Sequence, residues 1–117
     1  MNTENAQQLH LTCNTSQQAK LESDKALQSV TDFIITTLKQ IDQPAFDKVT
    51  AIEQGSLYDR CWAIHSAIEQ AHPSAANMLL NAIRTAELLN EACSSARRTL
   101  DDFEHACAMK AKILGSK

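Results

Sequence analysis

The chain has 117 residues, of which 44% are hydrophobic and 21% are charged, and its formal net charge at pH 7 is −3. This size and composition are typical of one globular domain with a core of moderate size. Two glycines, two prolines and an aromatic content of 4% disfavour the turn-rich sandwiches and barrels, so we expect an all-α fold. The longest basic run is the pair Arg97 and Arg98, which disfavours nucleic-acid binding.

Residues 1–14 are polar and show no helical period, so we expect a flexible N-terminal tail there and a single helical domain over residues 15–117. This segment has neither the basic start nor the apolar stretch of a secretion signal, and no apolar run in the chain approaches a membrane span. We therefore expect a cytoplasmic protein without membrane contact, in which the four cysteines are reduced.

The first helix is predicted over residues 16–41. Thr15 and Gln18 match the capping-box spacing, and apolar residues follow at steps of three and four: Leu27, Val30, Ile34, Leu38 and Ile41. Pro44 then occupies a first-turn position and starts a short second helix with the apolar residues Ala45, Phe46, Val49 and Ile52. Gly55 is placed to end this helix.

A third helix is predicted over residues 57–71. Ser56 and Asp59 form a second N-terminal capping pattern, and the apolar positions that follow are Leu57, Cys61, Ile64, Ile68 and Ala71. Pro73 either kinks this helix or separates it from the next one, because a proline ring disfavours helix in the residues before it.

The strongest pattern predicts one long C-terminal helix over residues 75–114 that carries a heptad seam. Alternating steps of four and three connect Ala75, Leu79, Ala82, Ala86, Leu89, Cys93, Ala96, Leu100, Phe103, Cys107, Lys110 and Leu114. Such a helix is about 60 Å long, whereas the predicted first helix covers about 40 Å. The architecture is thus a small helical bundle, and the uncovered part of the seam favours an antiparallel homodimer.

We expect the functional surface at the two broadened ends of this seam and at an aromatic pair on the third helix. The candidate protein-interface residues are Met78, Leu79, Leu80, Ile83, Leu100, Phe103, Met109, Ile113, Tyr58 and Trp62. Flexible methionines suit adaptable interfaces, and tyrosine and tryptophan are enriched among interface hot spots.

The cysteines are expected to pack and not to react. Cys93 and Cys107 occupy one heptad position of the seam, and neither begins a helix. The conceivable zinc set combines Cys61 and His65 with His10 and Cys13, but the last two come from the predicted tail. We expect no metal, no cofactor and no catalytic residue.

One enzymatic alternative rests on spacing. Arg60 with His65, and Arg98 with His105, resemble the R-x4-6-H motif of the helical HEPN ribonucleases. In that family the arginine and histidine of two protomers meet at a dimer interface. The residue that follows each arginine, Cys61 or Thr99, departs from the family's pattern.

These observations favour a protein that works by binding another protein. The hypothesis is a small antiactivator-like regulator that inhibits or sequesters its partner by laying an apolar helix surface into a groove. A secretion chaperone and an immunity or phage inhibitor protein are the alternatives of similar size and architecture, and the ribonuclease is a third.

Overall fold

The fold is all-α, as predicted. A computed structural model describes residues 2–53 and 55–115, and within these ranges the chain forms four helices and no strand. In chain order they are α1 (Asn2–Ile41), α2 (Gln43–Thr50), α3 (Leu57–Ile68) and α4 (Pro73–Gly115).

The start of α1 corrects the prediction, because the helix begins at Asn2 and residues 2–14 belong to it. Thr15 and Gln18 lie inside the helix and do not cap it. Ala6, Leu9, Cys13 and Ser16 are half-buried at steps of three and four, so the heptad period continues towards the N-terminus through small and polar members. The period was therefore present but not visible as a run of large apolar residues.

The short helix α2 begins as predicted and ends earlier. Asp42 is its N-cap, with a carboxylate oxygen that accepts a hydrogen bond from the Ala45 backbone N–H at 3.2 Å, and Pro44 lies in the first turn. The helix ends at Thr50 with Ala51 as its C-cap. Gly55 has no positive φ and is not the residue that ends α2, which corrects the prediction.

Helix α3 is capped as predicted, since the Ser56 hydroxyl accepts a hydrogen bond from the Asp59 backbone N–H at 3.1 Å. It ends at Ile68, short of the predicted residue 71. Pro73 is the first residue of α4 and so separates two helices, where its missing N–H costs nothing.

Packing divides the chain into two compact units. The two-helix unit comprises residues 1–21 and 88–117, and the core unit comprises residues 22–87. The hydrophobic core lies in the core unit and takes side chains from all four helices: Leu27, Ile34, Leu38, Val49, Cys61, Ile64, Ile68, Ala76, Leu79, Ile83 and Ala86. The single domain over residues 15–117 remains a prediction.

The heptad seam of α4 is present in both units. Of the seam positions in the core unit, Leu79 and Ala86 are buried and Ala75 and Ala82 are half-buried. Ala76 and Ile83, next to the seam, are buried as well. In the two-helix unit the seam positions from Leu89 to Cys107 are all buried or half-buried, whereas Lys110 and Leu114 are exposed.

In the two-helix unit, helix α1 packs against this part of the seam. Within the two-helix unit the segments run antiparallel, since Leu9 and Phe103 border one cleft while Cys13 and Leu100 border another. Helix α1 has 40 residues and α4 has 43, so the length mismatch from which we expected a homodimer is absent.

Candidate protein-interaction surfaces

Three of the residues predicted at an interface belong to the interior of the chain. Leu79 and Ile83 are fully buried in the core unit, and Leu100 is 9% exposed in the two-helix unit. Buried side chains have no area left for a partner, so these three residues pack within the chain and form no part of its exposed surfaces. Leu80 and Phe103 are half-buried.

The last turns of α4 carry exposed apolar side chains. Met109 is 47% exposed, Ile113 61% and Leu114 57%, and every residue from Ala108 to Gly115 is exposed. Met109 and Ile113 are four positions apart and therefore share one side of the helix. We call Met109, Ile113 and Leu114 the α4 terminal surface. Lys110 and Lys112 flank it and are exposed.

A second exposed apolar area lies on the core unit, between α1 and α4. Phe33 is 62% exposed, Ile41 65% and Met78 47%, and together they border a shallow cleft. The rest of its lining consists of Ile34, Thr37, Leu38, His72 and Ala75. We call Phe33, Ile41 and Met78 with this lining the α1/α4 face.

The α1/α4 face was predicted in part. Met78 was among the predicted interface residues, but Phe33 was not considered and Ile41 was assigned to the buried stripe of the first helix. The step from Phe33 to Thr37 and Ile41 is a helical one, and this signal could have identified a second stripe on α1.

The aromatic pair on α3 is engaged within the core unit. The Tyr58 hydroxyl donates a hydrogen bond to an Asp24 carboxylate oxygen at 2.5 Å, and burial followed by the Asp24 carboxylate raises the pKa of Tyr58 above its ordinary value. The Trp62 indole N–H donates to Glu87 at 2.6 Å, and its ring meets the His65 ring edge-on at 5.8 Å between centroids. These contacts join α3 to α1 and α4.

Arg60 and His65 lie on different sides of α3, whereas the second arginine and histidine pair lies on α4. Arg60 and His65 are both half-buried and lie five positions apart, which places them about 140° apart around the helix. The His65 ring is in contact with Trp62. Arg98 and His105 are exposed on α4.

The cysteines occupy different environments. Cys61 is fully buried, its sulfur lies 3.2 Å from the Thr31 hydroxyl oxygen, and burial raises the pKa of its thiol. Cys13, Cys93 and Cys107 are half-buried free thiols. Cys13 and Cys93 line a polar cleft of the two-helix unit together with His10, whose ring pairs with Glu104 at 3.1 Å.

The candidate zinc ligands do not form one described site. Cys61 and His65 belong to the core unit, and His10 and Cys13 belong to the two-helix unit. In the part of the chain that the structure describes, no three histidine, cysteine, aspartate or glutamate side chains are grouped so that they could hold a metal ion.

No protein-family model, no curated protein and no solved structure matches the chain. No helix in residues 2–53 and 55–115 has the length and apolar character needed to span a membrane.

Proposed function

We propose that the protein is a small regulator that binds another protein, and inhibits or sequesters it, through the α4 terminal surface. The observation that carries this proposal is the exposure of Met109, Ile113 and Leu114 on consecutive turns of one helix. Exposed apolar side chains at helical spacing are the anchors of helix-in-groove recognition.

The chemistry of this surface specifies the partner. Met109 and Ile113 fit an apolar groove, and the flexible methionine adapts to its shape. The exposed Lys110 and Lys112 border the same turns, so the groove they fit has acidic residues along its rim. The bound partner is therefore a protein with an apolar, acid-rimmed groove about two helical turns long.

Polar side chains that could serve chemistry in the core unit are used to hold its helices together, which supports binding over catalysis. Tyr58 is bonded to Asp24, Trp62 to Glu87, and His72 to Asp42 at 2.7 Å. The first two pairs each connect two different helices, and the third connects the α1–α2 junction to the α3–α4 junction.

Substitution of Met109 by aspartate tests the proposal. The tagged native protein is incubated with lysate of its host, and captured proteins are identified and quantified by mass spectrometry. We expect one stoichiometric partner, and we expect Met109→Asp to weaken its binding at least about thirtyfold, because a buried interface anchor contributes about 2 kcal/mol or more.

Leu88→Asp is the matched control, since Leu88 is 65% exposed on the same helix and outside the proposed surface. It should bind as the native protein does, and circular dichroism should show unchanged helix content in both variants. Capture that is equal for native and Met109→Asp protein, or no stoichiometric partner at all, contradicts the proposal.

A further inference from the structure

Three of the four cysteines lie in the two-helix unit, at the contact between α1 and α4. Cys13 and Cys93 line one cleft between these helices, and Cys107 occupies the same heptad position of α4 as Cys93. All three are free and half-buried, whereas Cys61 is fully buried in the core unit. The three thiols therefore combine packing between helices with access from solvent.

These thiols are too far apart to form a disulfide with one another. The ion pair of His10 with Glu104 at 3.1 Å sets the antiparallel register of the two segments. In this register Cys13 is displaced along the helix axis by about 12 Å from Cys93 and by about 9 Å from Cys107. A disulfide requires two Cα atoms within about 7 Å, so each thiol can form one only with an external partner.

Cys93 is the thiol whose surroundings favour an anionic reagent. Arg97 follows it by four positions on α4, borders the same cleft and is exposed. The acidic residues of the cleft, Asp101 and Glu104, lie further along α4, where Glu104 pairs with His10. A positive charge at the approach to a thiol attracts an anionic disulfide, and glutathione disulfide, with its carboxylates, is one.

A tripeptide attached to the Cys93 sulfur has to part the two helices. Cys93 is a seam position that faces α1, and a packed contact accommodates additional atoms only by moving apart. Among the described residues of the two-helix unit Leu100 alone is buried, and α1 contributes the small side chains of Ala6 and Ser16 to the contact. Few apolar contacts therefore oppose the separation.

We infer that Cys93 is a modification site for anionic low-molecular-weight disulfides, and that the adduct opens the two-helix unit while the core unit stays folded. This departs from the expectation that Cys93 packs without reacting. The site does not depend on the proposed function.

The modification is a thiol–disulfide exchange. The Cys93 thiolate attacks one sulfur of glutathione disulfide, a mixed disulfide forms, and the original sulfur–sulfur bond breaks. The departing glutathione thiolate takes up the proton that the Cys93 thiol released. Glutathione disulfide is the oxidant, and an excess of a reducing thiol reverses the exchange.

Incubation of the reduced full chain with glutathione disulfide at neutral pH tests the site, with adducts located by mass spectrometry of peptides. We expect the first adduct on Cys93 and none on Cys61. Arg97→Gln should slow the reaction of Cys93 at least about threefold, because it removes the nearby positive charge. Hydroxyethyl disulfide, which is uncharged, is the matched reagent and should react equally with the native protein and Arg97→Gln.

Hydrogen exchange of the adduct tests the opening. Amides of residues 6–18 and 92–106 should exchange at least about tenfold faster in the adduct than in the reduced protein, while those of residues 61–68 should not change. Dithiothreitol should restore the original rates. Cys93→Ser treated in the same way should show no acceleration, and circular dichroism should show native helix content in both variants.

The inference is overturned if no adduct forms, or if the first adduct is on Cys13, Cys61 or Cys107. Reaction of Arg97→Gln with glutathione disulfide at the native rate removes the role of the charge and contradicts the preference for an anionic reagent. An adduct on Cys93 that leaves the exchange of both segments unchanged, or that exposes residues 61–68 equally, contradicts the opening.

Discussion

Tyr58 shows how a single polar group can connect two helices. Its hydroxyl reaches from α3 to Asp24 on α1, across 34 positions of sequence. In residues whose side chains the structure describes, no buried side-chain nitrogen or oxygen lacks a hydrogen-bond partner. Satisfying such groups is required because an unpaired buried polar atom costs about 1–3 kcal/mol.

Titration of Tyr58 should be shifted to high pH. It is the one tyrosine of the chain, so absorbance of the phenolate near 295 nm reports this residue alone. Burial and the Asp24 carboxylate raise its pKa, so the folded protein should not ionise at the ordinary value of about 10. The stability that this contact contributes is fully present below about pH 10 and is lost as the pH rises further.

Asp24→Asn is the matched control, because it removes the carboxylate charge and keeps a hydrogen-bond acceptor. It should lower the titration midpoint towards that of the unfolded chain. A native midpoint at the unfolded value, or one that Asp24→Asn leaves unchanged, contradicts this assignment.

Contacts between individual side chains were the features hardest to predict from the sequence. The apolar stripe of α3 correctly placed Cys61 in the core, since it follows from a helical period. Its contact with Thr31, a fully buried polar residue 30 positions away, does not follow from any local pattern. The Thr31 hydroxyl donates to the Leu27 carbonyl at 2.7 Å, which uses its one hydrogen and leaves the Cys61 thiol as the donor to Thr31.

At the scale of the helices, Asp42 connects two junctions of the chain. One carboxylate oxygen caps α2, and the other pairs with His72 in the turn that precedes α4. The hydrogen bond to His72, followed by the one from the Ala45 backbone, lowers the pKa of Asp42 below its ordinary value of 3.8. The junction between α1 and α2 is thereby fixed to the junction between α3 and α4.

Because of Asp42, the free energy of unfolding should decrease at acidic pH. A carboxylate with a lowered folded pKa contributes stability above its unfolded value of about 3.9, and this contribution is lost as the pH falls through the folded pKa. Asp42→Asn keeps the cap, because asparagine is an equally good N-cap, and loses the charge that faces His72. Asp42→Ala loses both.

Thermal unfolding at several pH values measures this effect. At pH 7 we expect the Tm to decrease in the order native, Asp42→Asn, Asp42→Ala. The difference between native and Asp42→Asn should shrink as the pH falls from about 4, where the unfolded chain takes up the proton, through the lowered pKa of the folded carboxylate. A difference that is constant from pH 7 to pH 3 would show that the charge of Asp42 has no part in stability.

The elements themselves were predictable wherever the pattern was carried by large apolar residues or by a proline. The capping of α3 by Ser56 and the first-turn position of Pro44 follow from such local rules. The start of α1 was wrong, because Ala6, Cys13 and Ser16 continue the heptad with small side chains while Leu9, Leu11 and Cys13 also fit a strand period. Packing against α4 selects the helix over the strand. This packing is a tertiary contact, so the local sequence pattern does not reveal it.

For the whole molecule, the most consequential feature is the uneven distribution of buried apolar side chains. Eleven residues form the core cluster, and all of them lie in the core unit. In the two-helix unit Leu100 is buried, whereas Leu11, Leu21, Leu88 and the α4 terminal surface are exposed. Since burial of apolar area is the main stabilising contribution, the two units differ in local stability.

Hydrogen exchange should resolve this difference. Amides of residues 6–18 and 92–106 should exchange at least about tenfold faster than helical amides of residues 61–68 and 76–86. A tenfold difference corresponds to about 1.4 kcal/mol in the free energy of opening. Equal protection in both sets would mean that the chain opens as one cooperative unit, contrary to this expectation. Mass spectrometry of peptic fragments provides the measurement.

The helical class, the long α4 and its seam could be predicted because they depend on periodicity alone. The homodimer was expected for a reason that fails, since α1 extends along the part of α4 that was thought to be uncovered. The α1/α4 face was predictable only in part, since Met78 was expected at a surface while Ile41 was assigned to the buried stripe of the first helix. It becomes recognisable once the structure shows that Phe33 and Ile41 point away from the core.

Trp62 gives the molecule an internal optical probe. It is the one tryptophan of the chain, it is 36% exposed, and its indole is held between α3 and Glu87 of α4 inside the core unit. Its fluorescence therefore reports the separation of α3 from α4. Far-ultraviolet circular dichroism, in contrast, measures the helix content of all four helices together. A heating curve recorded by both signals distinguishes fraying of the two-helix unit from melting of the core without any label.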